Sequence, residues 1–410
     1  MREIAKNATK IHGQPMFKVI DKVKHLEAQG RDIVHLEIGD PDFTTPQHIV
    51  DAAKKSLDAG ETHYGSSWGM PDFIETIRKA THRSRGFMPN VDQVLITPGA
   101  NISIYYSIFC LVNPGQEVLV PNPGFPTYLS SIAMCGASAV PYPLHEINGF
   151  SMRAEDIEPL ITEKTKLIII NSPQNPTGAI TEPDHLREIY ELAVKYDLYI
   201  YSDEIYSRMV YEENNFFSIS SLDQSKERVI LSNGFSKAFA MTGWRLGSVI
   251  APPIVAERMM MLLQTTSSCV SSFVQRAGIA AIEGSQIPVD IMMAEYKSRR
   301  ELLIHGLNSI PGITCHLPGG AFYAFPNISS FGLTSEEFAD AMLEKANVAL
   351  LPGSNFGSQG EGFVRLVYAS STENIKKSIN AIKTDSSPSE TQQQAQAKTK
   401  ATRKAKTVFH

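Results

Sequence analysis

Residues 232–247 read SNGFSKAFAMTGWRLG, a string that sets one lysine, Lys237, among small residues and places Arg245 eight positions downstream. A lysine that attacks a carbonyl must be neutral and unobstructed. The small neighbours Gly234, Ser236 and Ala238 leave it that freedom, and such a lysine can form a Schiff base. Arg245 is a permanently charged fork suited to a phosphate. Together the two can grip both ends of a phosphorylated aldehyde. A lone lysine on a loop is ordinarily just solvated, so the surrounding string is what gives Lys237 chemical meaning.

Working outward, Lys237 lies between two short apolar runs, 229–232 and 247–250. Further runs of the same kind occupy 94–96, 117–120, 166–170 and 198–202 and alternate with helical patterns, one after Gly99 and one from Pro183. That alternation is the signature of a parallel sheet covered by helices. A long helix is expected from Ile287 towards Ile310, followed by strands at 321–325, 348–351 and 363–367 that form a smaller α+β unit. The expected organisation is an N-terminal arm with part of the small domain at 1–45, a large domain at 46–286, the small domain at 287–383 and a tail at 384–410. The tail holds five basic residues against Asp385 and Glu390 and few apolar ones. It is expected to be disordered.

Composition excludes several function classes. The chain has 410 residues, 42% hydrophobic and 20% charged, enough for a large core divided among domains. With a formal net charge of -5 and a basic tail, the body is acidic and gives no reason to expect nucleic acid as partner. No apolar run approaches the roughly 18 residues of a membrane span, and the first residues lack a signal-peptide core, so the cytoplasm is the expected location. Cys110, Cys135, Cys269 and Cys315 lack metal-ligand spacing and read as buried reduced thiols, with no metal site.

Polar residues cluster at the carboxyl ends of the expected strands, where an open α/β sheet binds ligands. In TPGAN (97–101), Gly99, Ala100 and Asn101 open a helix whose free N–H groups favour a phosphate. PNPGFPTY (121–128) is a proline-stiffened loop holding Phe125, an aromatic able to stack on a flat ring. NSPQNPTG (171–178) offers the amide of Asn175. In YSDEIY (201–206), Asp203 ends a buried strand, a place where aspartates commonly cap helices, and Tyr206 follows three residues on. Asp203 can pair with a protonated pyridine nitrogen and so keep that ring an electron sink. In EGFVRLVYAS (361–370), Arg365 is a lone cation in an apolar strand and needs an anion.

The order and spacing of these motifs resemble the class I/II aminotransferases, the aspartate aminotransferase superfamily, over about residues 10–383. The resemblance implies the type I fold of pyridoxal-phosphate-dependent transferases: a mostly parallel seven-stranded sheet covered by helices, plus a smaller α+β domain. It implies pyridoxal 5'-phosphate as cofactor, with Lys237 catalytic through a Schiff base. Cofactor-binding roles then fall to Gly99, Ala100, Asn101, Ser236 and Arg245, with Phe125 stacking on the ring. Asn175 and Tyr206 are implied as donors to its phenolic oxygen, and Asp203 as partner of its nitrogen. Arg365 and Asn175, with Gly39 of LEIGDPDFTTP (36–46), are implied to bind substrate. Tyr64 of THYGSSWG (62–69) matches a tyrosine lent to the neighbouring subunit's phosphate, which implies a homodimer with shared sites.

The implied reaction is ping-pong transfer of an amino group between an L-amino acid and a 2-oxo acid. Aspartate-specific relatives commonly carry lysine at the position of Asn101 and small hydroxyl residues where Gln14 and Met16 stand, so strict aspartate specificity is not expected. Lyases of the same fold, C–S lyases or aminocyclopropane-carboxylate synthases, share Lys237, Asp203 and Arg365 and stay open. A non-catalytic sensor domain would need an attached DNA-binding domain, and the tail shows no helix-turn-helix pattern.

Overall fold

The structure, a computed structural model, describes residues 2–4, 8–11, 13–211, 214 and 216–385. Nearly all of the basic tail lies outside the described residues. Its expected start at 384 moves, because the last helix runs Thr372–Asp385.

Seven strands form one sheet, in spatial order Val94–Thr97, Gly247–Ile250, Val229–Gly234, Tyr199–Asp203, Thr165–Asn171, Glu117–Asn122 and Ser138–Pro143. All neighbours are parallel except Gly247–Ile250, which runs antiparallel to both strands beside it. The run TKLIIIN is apolar throughout because both sheet faces are covered. Alternate side chains then enter opposite cores. Leu95, Leu167, Ile169, Tyr201, Ile230 and Val249 pack under the helices Ala100–Leu111 and Pro253–Ser267. Val94, Ile96, Leu231 and Ile250 meet the helices Pro71–Arg85 and Ser272–Glu283 on the other face. Truncating a buried residue such as Ile169 to alanine should cost about 2–5 kcal/mol.

Six of these strands were legible from their apolar runs, but Ser138–Pro143 was not. It carries Pro141 and Pro143 and is half exposed, as an edge strand with one unpaired side can be. The helices expected after Gly99 and from Pro183 are Ala100–Leu111 and Pro183–Lys195, and the long one is Ile287–Asn308.

In the C-terminal part the expected strands are shorter. Tyr323–Ala324 pairs antiparallel with Val364–Val367, which pairs antiparallel with Leu351–Pro352. The expected strand 348–351 is split, because Val348–Ala349 turns away to pair parallel with Val34–His35. That pairing anchors the N-terminal segment against the C-terminal part and sets up the approach of Gly39 to the main sheet. Cys315 is buried as expected, whereas Cys110, Cys135 and Cys269 are only half-buried, their neighbours being helix surface and loop. No helix among the described residues is long and apolar enough to cross a membrane.

Candidate active site

Parallel register aligns Asn171 with Asp203 and Asp203 with Ser232, so three polar residues end together at the carboxyl edge of the sheet. Beyond that edge lies a cleft of about 420 Å³. Lys237, Asp203, Tyr206, Asn175, Phe125, Ala100, Asn101, Ser236, Arg245, Gly39 and Arg365 all border it. Gly99 lies just behind, and Tyr64 stands apart, 88% exposed on its loop.

Lys237 Nζ donates to the Gly39 carbonyl at 2.5 Å. Burial lowers its pKa to about 8; nearby Asp40 opposes the shift, and Arg365 and Arg245 add to it. The shift brings deprotonation of the amine within reach near neutral pH. Asp203 moves the other way, up to about 6, because burial disfavours its charge. Two groups resist that rise: the Tyr128 hydroxyl, donating to Asp203 Oδ2 at 2.8 Å, and the Ile205 N–H, donating to Oδ1 at 3.3 Å. Asn171 Nδ2 donates to the Asp203 carbonyl at 3.0 Å and fixes the strand end.

At the opposite wall the Arg365 guanidinium is buried between the Tyr323 and Phe356 rings, 4.6 and 4.8 Å from their centroids. Nη1 donates to Asn175 Oδ1 at 3.0 Å and Nη2 to the Glu37 carbonyl at 2.6 Å. Nε is buried with no hydrogen-bond partner among the described residues. Burial lowers the arginine's pKa. The lone cation of the apolar strand therefore has ring faces and neutral acceptors around it and no carboxylate hydrogen-bonded to it, the buried Glu37 carboxylate acting on it only through space. Because Asn175 Oδ1 is committed to Arg365, its Nδ2 end is the one left to serve another ligand.

The third corner is an anion cradle. Gly99 caps the helix Ala100–Leu111 at φ 86°, and a Cβ on it would overlap the Arg245 guanidinium. Gly247 approaches as closely from the adjoining strand, where a Cβ would stand 2.7 Å from the Ala100 nitrogen. Arg245 itself adopts φ 53°, and its Nη1 donates to the Thr242 carbonyl at 2.9 Å. Glycines at 99 and 247 thus let a helix N-terminus and a guanidinium share one small space.

Sequence reasoning did not assign Tyr128 or Tyr323. Tyr128 closes the quoted PNPGFPTY loop, but nothing local shows that it bonds Asp203, 75 positions away. Tyr323 lay in a run read only as strand. The cleft is also bordered by Gln14, Met16, Phe17, Ile38 and Ile104. Gln14 Nε2 donates to Thr127 Oγ1 at 3.1 Å, tying the N-terminal arm to the aromatic loop.

The sequence profile described as Aminotransferase class I and II matches residues 31–382. The aspartate aminotransferase of Pyrococcus abyssi is 40% identical over 364 residues, covering 88% of this chain and 93% of the relative. The aromatic-amino-acid aminotransferase 2 of Thermococcus litoralis is 40% identical over 366 residues, again 88% and 93%. Among solved structures, Thermus thermophilus aspartate aminotransferase with maleate superposes with a TM-score of 0.90 at 32% identity, covering 94% of this chain and 100% of the other.

Proposed function

Because the chain belongs to the class I and II aminotransferases, a pyridoxal-phosphate-dependent family, and is an aminotransferase, we propose that the cleft around Lys237 holds pyridoxal phosphate and is its active site. The observation that carries this reading is the convergence of a buried lysine of lowered pKa, a buried carboxylate and a buried guanidinium on one cleft. The residues fit the cofactor and its substrate: the glycine-lined cradle at Arg245 suits the cofactor phosphate, and Arg365, with a buried unpartnered Nε, suits a substrate carboxylate. When bound, pyridoxal phosphate supplies an aldehyde that carries the amino group and a ring that accepts the electron pair left at the substrate Cα.

Arg245, the Ser236 hydroxyl and the N–H groups of Gly99, Ala100 and Asn101 bind the phosphate. Phe125 covers the ring and excludes water from it. Asp203 would hold a proton on the ring nitrogen, a task suited to a buried carboxylate oriented by the Tyr128 hydroxyl and the Ile205 N–H. Asn175 Nδ2 and the Tyr206 hydroxyl donate to the ring oxygen. Arg365 takes the substrate α-carboxylate with parallel hydrogen bonds, beside Gly39. Lys237 Nζ would take the proton from the substrate Cα and hand it on within the same half of a ping-pong cycle, and would deliver a proton to the Cα of the second substrate in the other half; a pKa near 8 serves both directions.

Substrates are an amino acid and a 2-oxo acid. Among the described residues, no lysine or arginine besides Lys237, Arg245 and Arg365 borders the cleft. The wall of Met16, Phe17, Ile38 and Ile104 suits neutral or apolar side chains better than a second carboxylate. The division into a large domain at 46–286 and a small one at 287–383 with the arm 1–45, and a homodimer in which Tyr64 reaches the partner's phosphate, belong to the same proposal. An exposed tyrosine outside its own chain's cleft supports the latter.

A panel of amino acids tested against pyruvate and 2-oxoglutarate, with both oxo acid and ammonia measured, checks the reading. Oxo-acid formation matched to acceptor consumption supports transamination. Ammonia release without an acceptor would establish the lyase alternative.

A further inference from the structure

We propose that Tyr323 is a positioning residue that donates its phenolic proton to Tyr206 and thereby turns the Tyr206 proton towards the cleft. The inference rests on the reading of Tyr206 as a donor to the cofactor's ring oxygen. The two phenolic oxygens are 2.5 Å apart, and both residues are buried. Hydroxyls at that separation hold one proton between them, because two facing lone pairs would repel. The pair owns two protons, so the second must point outward from one member.

Three observations choose the member. Among the described residues, Tyr206 is the hydrogen-bond partner of the Tyr323 hydroxyl, which lies so near the Gly39 backbone that a Cβ placed on Gly39 would stand 2.5 Å from it. Both tyrosines border the cleft, but the Tyr323 hydroxyl is crowded by the Gly39 backbone, which leaves Tyr206 the freer outlet for the second proton, and a buried donor without a partner is costly. The Arg365 guanidinium lies 4.6 Å from the centroid of the Tyr323 ring and polarises that phenol directly. The strand Tyr323–Ala324 pairs with Val364–Val367, which carries Arg365, so ring and cation are held by the same backbone ladder. Tyr206 follows Asp203 on the other wall and meets Tyr323 edge to face, centroids 5.6 Å apart at 82°. With Tyr323 donating, the hydrogen bonds run in one direction, Tyr323 to Tyr206 to the cleft, and each donor strengthens the next.

The test compares wild type with Tyr206→Phe, Tyr323→Phe and the double variant, each loaded with pyridoxal phosphate, by titrating the visible absorbance of the bound cofactor against pH without turnover. A donor to the ring oxygen favours its deprotonated form, so losing that donor raises the midpoint. Tyr206→Phe should raise it most. Tyr323→Phe should raise it by about a third as much, the weakening expected when one bond of a chain is lost. The double variant should match Tyr206→Phe alone, because Tyr323 acts only through Tyr206. Gly39→Ala, whose Cβ would displace the Tyr323 hydroxyl, should raise the midpoint in the same direction and serves if Tyr323→Phe fails to fold. An unmoved midpoint in Tyr323→Phe, or additive shifts in the double variant, overturns the proposal while leaving Tyr206 its role. An unmoved midpoint in Tyr206→Phe overturns the reading of Tyr206 itself, and the proposal with it.

Discussion

Asn175 Oδ1 accepts a hydrogen bond from Arg365 Nη1 at 3.0 Å, joining the loop after one strand of the main sheet to the strand that supplies the C-terminal guanidinium. The bond sets the orientation of both side chains: Arg365 is turned into the cleft, and the amide nitrogen of Asn175 is left free of that bond. Arg365→Lys keeps the charge but loses the planar fork, so it should raise KM for both amino and oxo acids far more than it lowers kcat. A fall of about 10²-fold in kcat/KM is expected, on the scale of losing one charge-assisted bond of about 2–3 kcal/mol. Steady-state kinetics check it; unchanged KM values would place the substrate carboxylate elsewhere.

Lys237 should be the attachment point of the cofactor. Borohydride treatment of the pyridoxal-phosphate-loaded protein is expected to fix the cofactor to Lys237 Nζ, as read by peptide mapping, and Lys237→Ala should not transaminate. Label on a different lysine would sink the assignment. Burial lowers the amine's folded pKa to about 8, so in the cofactor-free protein the folded state binds fewer protons than the unfolded one above that value. Wild-type stability should therefore gain relative to Lys237→Met as pH rises from about 8 towards the ordinary lysine value, and melting curves over that window measure the gain.

For Asp203 the linkage has the opposite form. Its folded pKa is raised from 3.8 to about 6, so the folded state binds the extra proton between those values and ionisation above them works against folding. Asp203→Asn removes that cost. The cofactor-free variant should be more stable than wild type at pH 7, on the order of 3 kcal/mol at 1.36 kcal/mol per pKa unit, and the advantage should fade as pH falls from about 6 to below 4. The same variant should lose activity on the order of 10³-fold while still binding cofactor through the phosphate cradle. A variant that is no more stable than wild type at pH 7 would contradict the burial argument.

Tyr64 is 88% exposed in its own chain, as the proposed sharing of sites between two chains requires. Chains carrying both Tyr64→Ala and Lys237→Ala, hybridised with wild-type chains, should form dimers in which both sites are impaired. One site lacks the borrowed tyrosine and the other lacks the lysine. Hybrids retaining one fully active site, or full activity from a monomer in sedimentation, would show that Tyr64 is only a turn residue.

What the sequence determined by itself is local. Strands buried on both faces are continuous apolar runs, a helix opens directly after Gly99, and Lys237 stands among small neighbours. Each is written in a few adjacent residues. The tertiary structure alone decided which distant groups meet. Asn175 reaches Arg365 across 190 positions, Tyr206 reaches Tyr323 across 117, and Tyr128 reaches Asp203 across 75. It also paired Ser138–Pro143 at a sheet edge, where its prolines are tolerated, and split the run 348–351 between two sheets. Periodicity reports which face of an element is buried, but a hydrogen bond between side chains depends on the packing of whole elements, and no short window of sequence contains that distance.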